Sequence, residues 1–400
     1  MSEAAGITAT FTSGGAEERE AAYVALEEAA RVACSAGSSN GCGEGQPEAA
    51  IALTVACVRP LCSLLCAGAT KVGQAEYVRA ALLLYDMCKA DMVAVSVEMW
   101  RKDDAGVSPF CSMFTTSGNA HHAMLAKDPS EWTHDDAILA AAGLAAFQPL
   151  LSVGGIAILP QAGRGELEML QAWVADCPYL AETSHPVDHY LPLALLLLDL
   201  VRPQTDTQPE GIIAGVGICL CQIVQGKPSL AKAVYEAGFL EAFDTLMQRY
   251  NPMQRISKSN QVASAFFMAL KDVIEGAQAA GIDVIQPLLD VGALDSAISA
   301  VNAYAMLGKP EEGNVCGMQW GVVNVLEILL KSAHAAPIVA RKLRSAGVDS
   351  FRYLIDHPLI NLPSIGFETG SQATRIAAMV RVSLFSRRHI SATADTLFLS

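Results

Sequence analysis

Charge is scarce in this chain of 400 residues: Asp, Glu, Lys and Arg make up 17% of it, aromatics 6%, and hydrophobic residues 52%. So apolar a composition excludes a largely disordered chain, which cannot bury enough surface to offset its lost entropy. Basic residues are in shortest supply, 27 against 41 acidic, leaving a net charge of −14. That surplus repels phosphate backbones and anionic headgroups and argues against nucleic-acid partners. Phosphate-cradling loops are missing as well. Neither G-x-x-x-x-G-K-[ST] nor G-x-G-x-x-G occurs, and Gly215-Val-Gly217 lies in an apolar helical run with no strand before it. H-E-x-x-H is absent too. No sustained two-residue alternation and no Asn-Gly hairpin between strand-like runs is found, so strands are not expected.

Cysteine is present but not in a metal or redox pattern. The eleven Cys are odd in number, and no C-x-x-C pair exists. Cys57, Cys62, Cys66, Cys88, Cys219 and Cys221 fall inside apolar helical runs, as reduced buried thiols do. The expectation is a reducing compartment, cytoplasmic or nuclear, with no cofactor. The first twenty residues, MSEAAGITATFTSGGAEERE, lack the apolar core of a signal peptide. Two apolar runs invite a membrane test. Residues 49–69 carry Arg59 and Pro60 at mid-span, and residues 190–201 are short and contain Asp199. Both are expected to be buried helices and not spans, which need about 20 apolar residues with few charges.

Internal repetition is what the chain does have. GLAAFQPLLSVGG (143–155) is echoed by GIDVIQPLLDVGA (281–293), and KPSLAKAVYEAG, ending at Gly238, by APIVARKLRSAG, ending at Gly347. Such echoes mark repeat architectures, in which each unit buries its apolar face only against its neighbours. Ala and Leu dominate, and both favour helix.

The spacing of apolar residues and of Gly and Pro divides the chain as follows. Residues 1–15 read as a flexible leader, 16–35 as an amphipathic helix with acid in its first turn, and 35–47 as a Gly/Ser linker. Together 1–47 form an N-terminal cap, and 48–400 one helical array. Units at 48–88, 134–178 and 189–226 are less regular, with an irregular insertion at about 100–133. Thereafter a short helix, a Gly turn, a second helix and a longer third helix recur: 228–236, 238–250 and 260–275; then 283–291, 292–304 and 317–333; then 336–346, 347–356 and 371–386. The turns fall at Gly238, Gly292 and Gly347, where a left-handed backbone suits glycine.

This order resembles the armadillo repeat, most clearly at EAGFLEAFDTLM (236–247), DVGALDSAISAV (290–301) and SAGVDSFRYLI (345–355). The resemblance covers roughly 130–390 and is shared in part with HEAT repeats. It implies an all-α fold, a right-handed α-solenoid of helix triplets. Its third helices (211–225, 260–275, 317–333 and 371–386) would line a concave groove that takes a peptide or helix of another protein. It further implies a scaffold or adaptor and not an enzyme.

Trp320 and Asn324 lie four apart in the third helix GMQWGVVNVLEILLKSA, on one face by helical register. The pair is similar to the W-x-x-x-N element with which importin-α grips basic extended peptides. An amide can bond a peptide group in both senses, and an indole face attracts a cation. Importin-α repeats the pair, whereas here the 260–275 helix has Phe266 and Phe267 in its place. The partner-binding candidates are therefore Trp320, Asn324 and Gln319, with Phe267, Lys271, Arg375 and Arg381 from the other third helices. The acidic net charge favours a basic ligand.

Two other classes compete. A mean hydropathy of +0.32 suits a structural subunit with faces buried in a larger assembly. An all-α enzyme would use His121, His122, His134, Asp135 and Asp136, a mixture able to move protons. His185 and His189 have metal-ligand spacing on a helix, but Pro186 disfavours helix before it, so a polar loop is expected there.

Overall fold

The computed structural model describes residues 3–36, 46–113, 116, 127–146, 187–202, 208–251, 261–306 and 318–345. Among these residues the protein is all-helical, without strands. The chain divides into two compact units, Met1–Ile223 and Val224–Ser400.

The first unit begins with α1 (Glu3–Ser13), α2 (Ala16–Ala36) and α3 (Gln46–Ala67). The expected flexible leader is in fact a helix laid on α3. Its sequence, EAAGITATFTS, is a poor helix former on its own. What holds it is Phe11, buried and packed edge-on against Tyr23 with ring centroids 4.9 Å apart. The tertiary contact overrides weak local propensity.

α3 also packs on α2, α5 (Gln74–Ala90) and α6 (Met92–Trp100), with α4 (Ala69–Val72) as a short connector. Cys57, Val58, Leu61 and Cys62 give α3 its buried stripe. The window Glu48–Ala67 is long and apolar enough, by length and composition, to cross a membrane. Only 44% of it is buried, so α3 is less enclosed than the core helix expected. Of the segment 100–133, Ser108, Phe110 and Met113 are buried, Trp100 stacks on Phe110 at 4.3 Å, and Pro129–Glu131 makes one 3₁₀ turn.

α7 (His134–Ala145), α8 (Val187–Asp199) and α9 (Glu210–Val224) complete the described part of this unit. α7 opens with a capping box. Thr133 Oγ1 accepts from the Asp136 amide, and the Asp136 carboxylate accepts from the Thr133 amide at 3.1 Å. α7 and α9 meet at close range, because a Cβ built on Gly215 would stand 1.9 Å from the Ala141 carbonyl oxygen.

The second unit contains α10 (Pro228–Glu236), α11 (Phe239–Arg249), α12 (Gln261–Ala279), α13 (Ile285–Asp290), α14 (Ala293–Met306), α15 (Met318–Lys331) and α16 (Ala336–Ser345). These boundaries fall within a few residues of those read from the sequence. Pro228 opens α10 at its first turn, where its missing N–H costs nothing. Gly238 and Gly292 link the paired short helices with φ of +97° and +69°, a region that L-residues enter only at a cost. The third helix α12 packs on α10, the short first helix of its own triplet, and the next third helix, α15, packs on α12. The helices expected at 347–356 and 371–386 lie outside the described residues, as does the echo at 143–155 beyond Ala146.

Candidate functional site

Of the helices expected to line a groove, α9 is buried from Gly211 to Val224 and 371–386 lies outside the described residues, so an open face has to be sought on α12 and α15. α12 is apolar almost all round: Val262, Ala263, Ala265, Phe266, Phe267, Ala269, Leu270, Val273 and Ile274 are buried. Three elements enclose it. α11 delivers Phe239 onto Phe266, stacked at 6.3 Å, and Phe243 onto Phe267, edge-on at 5.3 Å. On the α10 side Gly276 lets the backbones close up, since a Cβ there would lie 2.4 Å from Ala231 Cβ. α15 covers a further side.

Phe267 is therefore a core residue with 0% exposure, which corrects its place among the partner-binding candidates. It faces α11, and its burial depends on the amphipathic face of that helix.

Beyond the exposed end at Gln278 and Ala279, the open side of α12 carries Met268 and Lys271, both partly exposed, and the exposed Glu275, one turn apart and on one face. Lys271 Nζ lies 2.8 Å from Asp272 Oδ1 and 3.1 Å from Glu275 Oε2. Burial opposes its charge, but the Asp272 and Glu275 carboxylates outweigh that and hold the Lys271 pKa above its ordinary value. Asp272 is itself buried. On α15, Glu327 is buried and pairs with the exposed Lys331 at 3.1 Å. These two helices thus set three carboxylates (Asp272, Glu275, Glu327) against two ammonium groups (Lys271, Lys331), a net of one negative charge.

Trp320, Asn324 and Gln319 fall in α15, with side chains outside the described residues. Arg375 and Arg381 also lie outside the described residues. By register Trp320, Asn324, Glu327 and Lys331 follow one another at spacings of four, three and four along one face. That spacing, with the i,i+4 pairs Lys271–Glu275 and Glu327–Lys331, was the signal by which Glu275, Glu327 and Lys331 could have been added to the candidates from sequence; no such signal marks the buried Asp272.

The described members of the rival chemical sites have partners as follows. His134 Nε2 sits 3.0 Å from Asp199 Oδ2 on the surface. The Asp135 carbonyl accepts from Gln74 Nε2 at 3.1 Å. Asp136 is committed to the cap and to Lys127 Nζ, 2.6 Å away. Burial alone would raise the Asp136 pKa, yet the bonds from Lys127 and Thr133 hold it below the usual carboxylate range. His189 is not in a loop. It lies in α8, two residues after Val187, with its ring edge-on to Trp132 at 5.2 Å. His121, His122 and His185 lie outside the described residues. Among the described residues no group of three or more His, Cys, Asp or Glu is placed to hold a metal ion.

Among the described cysteines, Cys57, Cys62, Cys88, Cys219 and Cys221 are buried, and Cys34, Cys66 and Cys111 are partly exposed. Burial pushes the Cys62 and Cys88 thiols well above their ordinary range and Cys66 up to about 11, so they are poor nucleophiles at neutral pH.

No protein-family model matches this chain, and no curated protein matches it in sequence. Among solved structures it is similar to a crystal structure of an engineered protein, with 14% identity, a TM-score of 0.35, and coverage of 95% of this chain and 99% of that one. A likeness that slight carries no argument for family or function.

Proposed function

We propose that the protein is a non-catalytic scaffold whose helices stack as armadillo-like triplets into a solenoid and bind an extended segment of another protein. The binding surface is the open side of the third helices α12 and α15. The observation that carries this reading is the packing of one third helix directly on the next, α15 on α12, each following a short helix, a left-handed Gly and a second helix. The i,i+4 ion pairs Lys271–Glu275 on α12 and Glu327–Lys331 on α15 support it, because each puts carboxylate and ammonium groups on a third helix that is otherwise mostly apolar. An extended chain presents backbone amides every 3.3 Å or so, which Asn324 can bond, while the carboxylates favour basic side chains. The compartment is reducing, cytoplasmic or nuclear, and no cofactor takes part.

The test is a native capture from lysate with quantitative mass spectrometry. It compares wild type with the Trp320→Ala/Asn324→Ala variant after circular dichroism has shown equal helicity. A protein retained by wild type and lost from the variant supports the scaffold and identifies its ligand. Retention by both moves the interface off α15 and favours the second reading, a structural subunit of a larger assembly. That reading draws on the mean hydropathy of +0.32 and the incompletely buried α3.

A further inference from the structure

α3 and α6 border an open groove of about 600 Å³ in the first unit. Its wall on α3 is made by Glu48, Ile51, Ala52, Val55, Ala56 and Arg59. Glu98 of α6 and Arg101, the residue that follows this helix, close the end beside Arg59. Arg59 Nε lies 3.6 Å from Glu98, Arg101 Nη2 lies 2.8 Å from it, and Arg59 donates to the Arg101 carbonyl. One carboxylate between two guanidinium groups leaves that end with one positive charge. The other end carries Glu48. The groove is thus apolar along its length and oppositely charged at its two ends.

Glu48, Ala52, Val55 and Arg59 are spaced four, three and four, the spacing of a two-helix seam. Their order is self-complementary under a two-fold axis passing α3 midway between Leu53 and Thr54. That axis pairs Glu48 with Arg59, Ile51 with Ala56, and Ala52 with Val55 of a second α3 running antiparallel. Every apolar pair sets a larger side chain against an alanine, so the helices can approach closely. Every charged pair sets acid against base. A two-fold interface requires this property, since each patch must match itself.

We infer that the occupant of this groove is a second copy of the chain, joined through antiparallel α3 helices in a two-fold dimer. The seam spans 12 residues, Glu48 to Arg59, about 17 Å between its end Cα atoms. That is short for a stable interface, which needs about 1,200 Å² in total. The association is therefore weak and concentration-dependent, with a Kd on the order of 10 µM. The inference is independent of the scaffold reading and stands or falls separately.

Sedimentation equilibrium of the full chain between 2 and 200 µM (roughly the range a Kd on the order of 10 µM demands) tests it. The wild type is expected to shift from monomer to dimer over that range. Glu48→Arg and Arg59→Glu should each raise the Kd at least tenfold, because each homodimer then faces two like-charge pairs. Mixed in equal amounts they should restore the dimer, because both cross pairs are again opposite in sign. Ala52→Arg, at an exposed position, should also give monomer and guards against misfolding of Arg59→Glu. A wild type that is monomeric throughout overturns the inference. So does a dimer indifferent to Glu48→Arg and Ala52→Arg, or a mixture that fails to reassociate while both variants remain folded.

Discussion

Truncating Phe267 separates a core residue from a ligand-contacting one. Its ring is fully buried and meets Phe243 edge-on at 5.3 Å, between α11 and α12. Phe267→Ala removes the ring and leaves a cavity that the neighbouring helices fill only in part. Buried Phe→Ala changes cost about 3–5 kcal/mol, of which the ring pair accounts for about 1 kcal/mol. In a unit of this size each kcal/mol lowers Tm by roughly 2–4 °C. The expected drop is thus on the order of 6–20 °C, followed at 222 nm by circular dichroism and checked by urea unfolding with an unchanged slope. Met268→Ala, on the open side of the same helix turn, serves as control and should cost about 1 kcal/mol or less. A Phe267→Ala protein melting within about 2 °C of wild type would refute the assignment of this ring to the core.

Gly215→Ala should destabilise the first unit by about 3 kcal/mol in chemical unfolding, because its Cβ would stand 1.9 Å from the Ala141 carbonyl oxygen and α7 must move away; an unchanged midpoint would deny that contact. At Gly238, with φ of +97°, Ala should cost about 1–2 kcal/mol and Asn less, since Asn tolerates the left-handed region better. Equal costs in the same melts would remove the conformational explanation. Asp136 has a depressed pKa in the folded chain, so its contribution is present above the unfolded value of about 3.9 and fades as pH falls through the lower folded value. Asp136→Asn should therefore lower stability at pH 7 and flatten the acid limb of a stability–pH curve, and a parallel curve would contradict the ion pair with Lys127.

Much of the second unit was legible in the sequence because its punctuation is local. Pro228, the Ala237-Gly238 turn and Gly292 set helix ends through their own backbone preferences, independently of distant contacts. The N-terminal leader was misread for the converse reason. Its Gly and Thr residues speak against helix, and only the docking of Phe11 beside Tyr23 makes one. Phe267 was misplaced because α12 is apolar around nearly its whole circumference. Periodicity then identifies a helix without saying which side meets a neighbour. On α3 the apolar run hid a different asymmetry. Hydropathy alone suggested full burial, whereas the side carrying Ala52, Val55 and Ala56 is left partly open and is bounded by charges.

The most direct test of the scaffold reading is photocrosslinking from single introduced benzoylphenylalanines. One replaces Met268 on the open face of α12, the other Lys232 on α10. The account predicts protein adducts from position 268 in lysate that are competed by excess unlabelled wild-type protein, and none from position 232. Adducts from position 232 alone, or from neither, would contradict a partner seated along the third helices.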